Sequence, residues 1–424
     1  MKPFELVIDA IAAGGAGVGR APDGRAVFVH RTAPGERVRV RMVEERGRWA
    51  RAELLQVIEP APSRRDAPCP FYKRCGGCTL EHMEYAAQLE AKRRIVHDAL
   101  TRIGGIDVQV PEVTPSPKEF RYRNRVSFSL VRTRDRGVLA GFHELLRPDR
   151  IVDMDESCLL PEEAVADAWG ALRRNWGPDA NRLPSGVKLR LTLRASAHGR
   201  TALLVQGGYS EGRAEELLPR VPSLDAVWHQ PHADRPAKLL AGTAELAESW
   251  QDEDLALGGA VFLPVNREAA VLLEDHVMAL AGDVAGLSVV DAYCGVGLHA
   301  RRLARQGASV VGIELDAQAV REAERATPGG RFIAARVEDA LPEALPADLV
   351  IVNPPRAGLD AGVVNALRTS PPQRIVYISC DPATLARDLK RLAPLFEVHS
   401  IRCFDLFPQT AHVESVAELT CSIT

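Results

Sequence analysis

The sequence predicts a multidomain chain: a small N-terminal β-barrel over residues 1–60, an α+β domain over 61–259, and an α/β domain with a Rossmann-like parallel sheet over 260–424. Three observations lead there. A chain of 424 residues is long enough for two or three separate cores. Its first sixty residues alternate apolar and polar side chains in short runs bounded by turn residues, as strands of a small barrel do. From about Ala260, short apolar strands alternate with helical stretches, which is the βαβ pattern of a parallel sheet covered by helices.

Composition narrows the class. Apolar residues make up 46% and charged residues 26%, the balance of an ordinary globular protein. The net charge of −3 excludes a global attraction to nucleic acid, so any basic surface must be local. No apolar run is long enough to span a bilayer, and no membrane contact is expected. Glu5 and Asp9 interrupt the first apolar stretch, which argues against a secretory signal and for the cytoplasm. Eight cysteines in such a chain read as metal ligands or catalytic thiols rather than disulfides.

In the first domain, Ala26–His30 and Arg37–Arg41 are strand signals, and Gly14-Gly15, Asp23-Gly24 and Pro34-Gly35 are turns. Arginines at 20, 25, 31, 37, 39, 41, 46, 48 and 51 bias it toward RNA, unless they only solvate a strand face. Pro60-Ala61-Pro62-Ser63 reads as a linker, and an amphipathic helix is predicted from about Tyr85 to Ile103. Within the basic segment 118–136, Arg121, Arg123 and Arg125 alternate with Tyr122 and Asn124. On a strand the three arginines would share one face, suited to phosphates and stacked bases, or form a solvated edge.

The third domain carries the chemistry. Predicted strands at Leu287–Asp291, Ser309–Glu314, Asp348–Asn353 and Arg374–Ser379 alternate with helices. After the first comes Asp291-Ala292-Tyr293-Cys294-Gly295-Val296-Gly297, whose glycines let a ligand approach the backbone. The second ends in Glu314, placed to accept hydrogen bonds from both hydroxyls of a ribose. Together they imply an adenosine-containing cofactor without distinguishing a methyl donor from a dinucleotide. Val352-Asn353-Pro354-Pro355-Arg356 decides for the methyl donor S-adenosylmethionine: two prolines stiffen the turn and Asn353 offers a donor and an acceptor. Cys380 follows the next strand at a helix start where Asp381 or Thr384 can cap and Pro382 suits the first turn. The helix dipole is expected to lower the thiol pKa and favour thiolate, the attacking species. Glu414, among apolar residues, suits proton transfer if burial raises its pKa, and His412 is a competing base.

On these motifs the chain resembles the RNA 5-methyluridine methyltransferase family, most closely the ribosomal-RNA branch with a TRAM domain and an iron–sulfur cluster. The resemblance spans nearly the whole chain. Residues 14–41 look like a TRAM domain, an OB-like RNA-binding barrel, and 260–424 like a class I methyltransferase domain. Cys380 in Val-Tyr-Ile-Ser-Cys-Asp-Pro-Ala-Thr and Glu414 in Phe-Pro-Gln-Thr-Ala-His-Val-Glu carry it most specifically. It implies that Cys380 adds to C6 of a uracil and that Glu414 removes the C5 proton. It also implies that Asp291, Tyr293, Gly295, Gly297, Glu314, Asn353 and Asn266 bind S-adenosylmethionine. Arg121, Arg123, Asn124, Arg125 and Arg356 are expected to contact RNA, most readily 23S ribosomal RNA, with no obligate protein partner.

Cys69, Cys75, Cys78 and Cys158 can hold a 4Fe–4S cluster or a tetrahedral zinc by spacing, and the resemblance favours the cluster. The chain departs from the family pattern at three places. Pro264 stands where a glutamine is usual, Asn353 where an aspartate is usual, and Arg336 where an acid or amide is expected, with Glu338 or Asp339 as substitutes. Uridine in transfer RNA, cytosine C5 methylation and a catalytically impaired RNA-binding paralogue are the competing readings.

Overall fold

The computed structural model describes residues 2–135, 137–233, 235–251, 253–258 and 263–422. The boundary expected at 259/260 lies outside them. The chain forms two compact units, one of Met1–Asp66, Thr79–Pro117 and Glu268–Thr424, the other of Ala67–Cys78 and Lys118–Arg267.

The first unit begins with a six-stranded sheet in the order Phe4–Val7, Arg37–Glu45, Trp49–Glu59, Ala26–His30, Ala16–Arg20, Ala10–Ile11. Its two edge strands are joined by only Ile8 and Asp9, so the sheet must roll until its edges meet. Alternation fills the interior: Leu6, Ile8, Val27, Val29, Val38 and Val40 are buried together. Most of its arginines do not form a free basic face. Arg25 pairs with Asp23 and Glu45, Arg37 with Glu5 and Glu59, Arg41 with Glu53, and Arg46 and Arg51 with Glu44. The stretch expected as a linker is a fastened strap: Arg64 reaches the fully buried Glu36 at 2.8 Å and the carbonyl of Arg31 at 2.8 Å.

The same unit holds a seven-stranded sheet in the order Arg331–Ala334, Ser309–Glu314, Ser288–Ala292, Leu349–Val352, Arg374–Ser379, Glu414–Cys421, Phe396–Phe404. Five strands run parallel; the last two join antiparallel. The parallel strands are mostly apolar, as strands covered by helices on both faces are. Leu349–Val352 is wholly buried. Strand order reverses between Ser288–Ala292 and Leu349–Val352, the switch point where a crevice opens beyond the strands' carboxyl ends. The predicted helix at 85–103 forms as Tyr85–Ala99, with a wider turn over Leu100–Gly104.

The second unit is a seven-stranded sheet in the order Lys238–Gly242, Leu224–Gln230, Thr201–Gln206, Lys188–Ala195, Arg125–Thr133, Gly137–Glu144, Arg147–Asp153. Helix Glu163–Asn175 packs on it, and Trp169 stacks on Phe128 at 4.1 Å. The arginine ladder expected here does not exist. The strand starts only at Arg125, and Arg121 precedes it in a left-handed conformation (φ 55°). The Arg121 guanidinium bonds the carbonyl of Cys158 at 2.8 Å, and Arg123 lies over the ring of Tyr122. Asn124 is buried, donating to the carbonyls of Val265 and Pro264 at 2.9 Å each. Arg121 and Asn124 are bonded to segments far along the chain, at Cys158, Pro264 and Val265, because the chain turns there before entering the sheet.

Among the described residues, no helix is long and apolar enough to cross a membrane.

Candidate active site

The crevice at the switch point is built by three loops. In the first, Tyr293, Gly295 and Gly297 all take positive φ (64°, 56° and 76°), turning the chain sharply out of the strand. A Cβ on Gly295 would meet nothing within 4 Å, so open space lies beside its backbone. The Gly295 N–H donates to Glu314 at 3.1 Å, and Asp316 N–H donates to the other oxygen at 2.8 Å. These amides leave Glu314 lone pairs for ribose hydroxyls. Asp291 is fully buried; it accepts from the Ala300 N–H at 3.1 Å, and its other oxygen, Oδ1, has no partner. Burial pushes its carboxyl up to about 7, helped by the charge of Glu314. It braces the turn into helix Leu298–Arg305.

Gly312 lies under this loop, where a Cβ would strike the ring of Phe332 and come within 3.0 Å of Cys294 Sγ. Gly312→Ala is expected to lower stability by about 1–3 kcal/mol through overpacking, read as a lower midpoint in urea unfolding.

In the second loop, Asn353 is exposed at its strand's end, its N–H held by the carbonyl of Ala292 at 3.2 Å. Arg356 is exposed, with Nη2 3.4 Å from Nε2 of His412. The turn behind it hangs on buried Asp388, which accepts from Leu359 N–H at 2.8 Å and Tyr377 Oη at 2.9 Å. Arg336 is exposed and pairs with Glu338. Burial pushes the Tyr293 phenol up to about 12, followed by the charge of Glu338. Asn266 is buried in the second compact unit.

The third loop carries Cys380. Asp381 caps helix Pro382–Leu392, accepting from Ala383 N–H at 2.9 Å and Thr384 N–H at 3.0 Å. Strand register then brings in Glu414: Ser379 pairs with Ser415, so one step further Cys380 faces Glu414 where the strands part. Burial pushes the Glu414 carboxyl up to about 7, while Arg356 pulls it down. The Cys380 thiol departs from expectation. Burial first, then the charge of Glu414, raise its pKa, and Arg356 offsets only part. Half-burial beside a carboxylate opposes the helix dipole.

In the second unit, Cys69, Cys75, Cys78 and Cys158 gather in one apolar cluster with Tyr72, Tyr122, Met154 and Leu160. Burial pushes the Cys158 thiol up to about 12, and Cys69 and Cys75 push the same way. Thiols that oppose one another's ionisation are a donor set that a cation would join. Among the described residues, however, no three His, Cys, Asp or Glu side chains stand in a geometry that would hold a metal ion. The cluster and its zinc alternative therefore rest on the donor set, not on formed ligand geometry.

Sequence reading missed Asp388, Lys92, Gln88 and Gln409, of which the last three fasten the loop before Glu414. The signal for two was present: Asp388 interrupts the apolar stripe Leu385, Ala386, Leu389, Leu392, and Lys92 interrupts Ala91, Ile95, Val96, Ala99.

A parallel sheet reversing beside a glycine turn, with an acid at the next strand end, defines a site for an adenosine-containing cofactor, and the comparisons make it that of an S-adenosylmethionine-dependent methyltransferase. Residues 308–421 match the family described as tRNA (Uracil-5-)-methyltransferase, and residues 4–55 match the TRAM domain. An RNA methyltransferase of Gloeobacter violaceus, named as uncharacterized, is 35% identical over 437 residues (97% of this chain, 95% of that protein). One of Halalkalibacterium halodurans is 33% identical over 446 residues (98% and 96%). The crystal structure of Pyrococcus abyssi tRNA (uracil-54, C5)-methyltransferase in complex with S-adenosyl-L-homocysteine superposes with a TM-score of 0.75 at 28% identity, covering 98% of this chain and all of that one. The chain belongs to the tRNA (uracil-5-)-methyltransferase family of RNA-modifying enzymes.

Proposed function

We propose that the protein methylates C5 of a uridine in RNA through a covalent adduct, with Cys380 as nucleophile and Glu414 as base. The observation that carries this reading is the antiparallel pairing of Arg374–Ser379 with Glu414–Cys421, whose register brings the Cys380 thiol opposite a carboxyl raised to about 7. C5 of uracil is a poor nucleophile. Cys380 thiolate adds to C6, forming the S–C6 bond and moving the ring electrons to an enolate. S-adenosylmethionine, held by the Tyr293–Gly297 turn and Glu314, supplies an electrophilic methyl group. C5 would take that methyl group as its bond to the sulfonium breaks, leaving S-adenosylhomocysteine; Glu414 then removes the C5 proton, the C5=C6 bond reforms and Cys380 leaves as thiolate. Arg356 favours both anions. The base must leave its stack to enter the crevice.

Residues 1–60 and 61–259 serve RNA binding in this reading, 260–424 the transfer, in the cytoplasm. Cys69, Cys75, Cys78 and Cys158 hold a 4Fe–4S cluster of structural role. Protein prepared without oxygen is expected to be brown with about four irons per chain, and Cys158→Ser to lose them. A colourless protein with one zinc would replace the cluster by its alternative.

The substrate we favour is 23S ribosomal RNA, on the four-cysteine set. Likeness to the Pyrococcus abyssi enzyme, named for transfer RNA, favours a second reading. Labelled S-adenosylmethionine with each unmodified RNA, followed by nucleoside analysis, separates them. Label in 5-methyluridine is expected from ribosomal RNA. Label only in transfer RNA installs the second reading, and 5-methylcytidine overturns the uridine assignment.

A further inference from the structure

The strands Phe396–Phe404 and Glu414–Cys421 last pair at Phe404 and Glu414, leaving 405–413 as the loop that delivers Glu414. Helix Tyr85–Ala99 fastens that loop from the side. Lys92 and Asp405 are both fully buried and lie 2.5 Å apart. Lys92 Nζ also donates to the carbonyl of Phe407 at 3.0 Å, and Asp405 Oδ1 accepts from the Phe407 N–H at 3.0 Å. One turn earlier, Gln88 donates to Gln409 Oε1 at 2.9 Å and accepts from the Gln409 N–H at 3.0 Å. Gln409 takes a left-handed conformation (φ 69°), and its carbonyl accepts from Thr79 and Leu80 N–H. The edge of the Phe407 ring meets His412 at 5.9 Å, and His412 in turn lies against Arg356.

We propose that Lys92 is a positioning residue for the methylation reaction: through its buried pair with Asp405 it holds loop 405–413 so that Glu414 stands opposite Cys380. Lys92 touches neither the reacting atoms nor the cofactor turn. A buried ion pair is a weak source of stability compared with an apolar pair of the same size, and its best-attested use is to specify one arrangement over others. Here the pair's contacts with the Phe407 carbonyl and N–H lie on the loop before the base. The inference rests on the proposal that Glu414 is that base.

Lys92→Met alone leaves Asp405 buried without its cation and is expected to unfold readily. The variant to measure is Lys92→Met/Asp405→Asn, which removes both charges. Wild type, this double variant and Glu414→Gln are compared for thermal melting, kcat, KM for S-adenosylmethionine and the amount of enzyme linked to uridine RNA. The double variant is expected to melt near wild type and bind S-adenosylmethionine with KM within about twofold. It is expected to lose about 100-fold in kcat, the effect of misplacing a reacting group by about 1 Å. It is also expected to accumulate the Cys380–RNA adduct, because the slowed step is proton removal. A folded double variant with wild-type kcat, or one whose kcat falls only as KM for S-adenosylmethionine rises in step, overturns the proposal. An active Glu414→Gln instead overturns the base assignment itself, so the two failures are told apart.

Discussion

Cys380→Ala is expected to abolish methyl transfer, by at least about 10⁴-fold in kcat, while leaving S-adenosylmethionine binding intact. The reason is chemical. Without addition at C6, C5 has no enolate behind it and does not react with a methyl sulfonium. The thiol of Cys403, on the strand beside Glu414–Cys421, is fully buried against Ser415 and is not expected to replace it. The sharper test uses RNA carrying 5-fluorouridine. Fluorine at C5 cannot be lost as a proton, so the adduct forms, takes the methyl group and persists. Wild type is expected to give a protein–RNA band stable to denaturant, and Cys380→Ala none. Full activity in Cys380→Ala would remove covalent catalysis from the reading. The raised thiol pKa adds a condition. Burial and the charge of Glu414 raise the Cys380 thiol, so adduct formation is expected to accelerate as pH rises into the alkaline range.

Glu414→Gln is expected to stall the reaction after methyl transfer. The amide occupies the same space beside Cys380 but takes no proton, so kcat should fall by about 10²–10⁴-fold while the methylated adduct accumulates on ordinary uridine RNA. The pH dependence follows from the same group. A carboxyl held at about 7 by burial is protonated below that value and cannot act as a base. Wild-type turnover is therefore expected to fall as pH drops through 7, and the residual rate of Glu414→Gln to lack that step. A wild-type rate flat between pH 6 and 8 would take the role away from Glu414. His412 would be the next base to test, since it faces the same crevice through Arg356.

Much of this was legible in the residues. The strand–glycine–acid pattern from 288 to 314, the strands Ser309–Glu314 and Arg374–Ser379, and the capping role of Asp381 follow from local spacing, and the structure places them where periodicity does. The arginine run at 121–125 was read as a strand because alternation is a period-two signal. A left-handed Arg121 and a buried Asn124 show the chain turning instead. Their partners, the carbonyls of Cys158 and Pro264, lie far along the chain, and no local pattern encodes them. The barrel arginines read as a basic bias or a solvated strand face because composition sees charges but not neighbours; register places Glu5, Glu53 and Glu59 beside them.

By itself, the sequence singled out the candidate groups: a thiol after one strand, a carboxylate before another, a glycine turn and an acid for the methyl donor. Those are properties of residue type and short-range order. Only the tertiary structure decided that Cys380 and Glu414 meet, because strand Glu414–Cys421 returns antiparallel to Arg374–Ser379 and brings positions 380 and 414 together. It also decided the protonation of both groups. A pKa depends on water excluded and on charges facing the group from other segments, and burial beside each other and Arg356 exists only once the chain has folded.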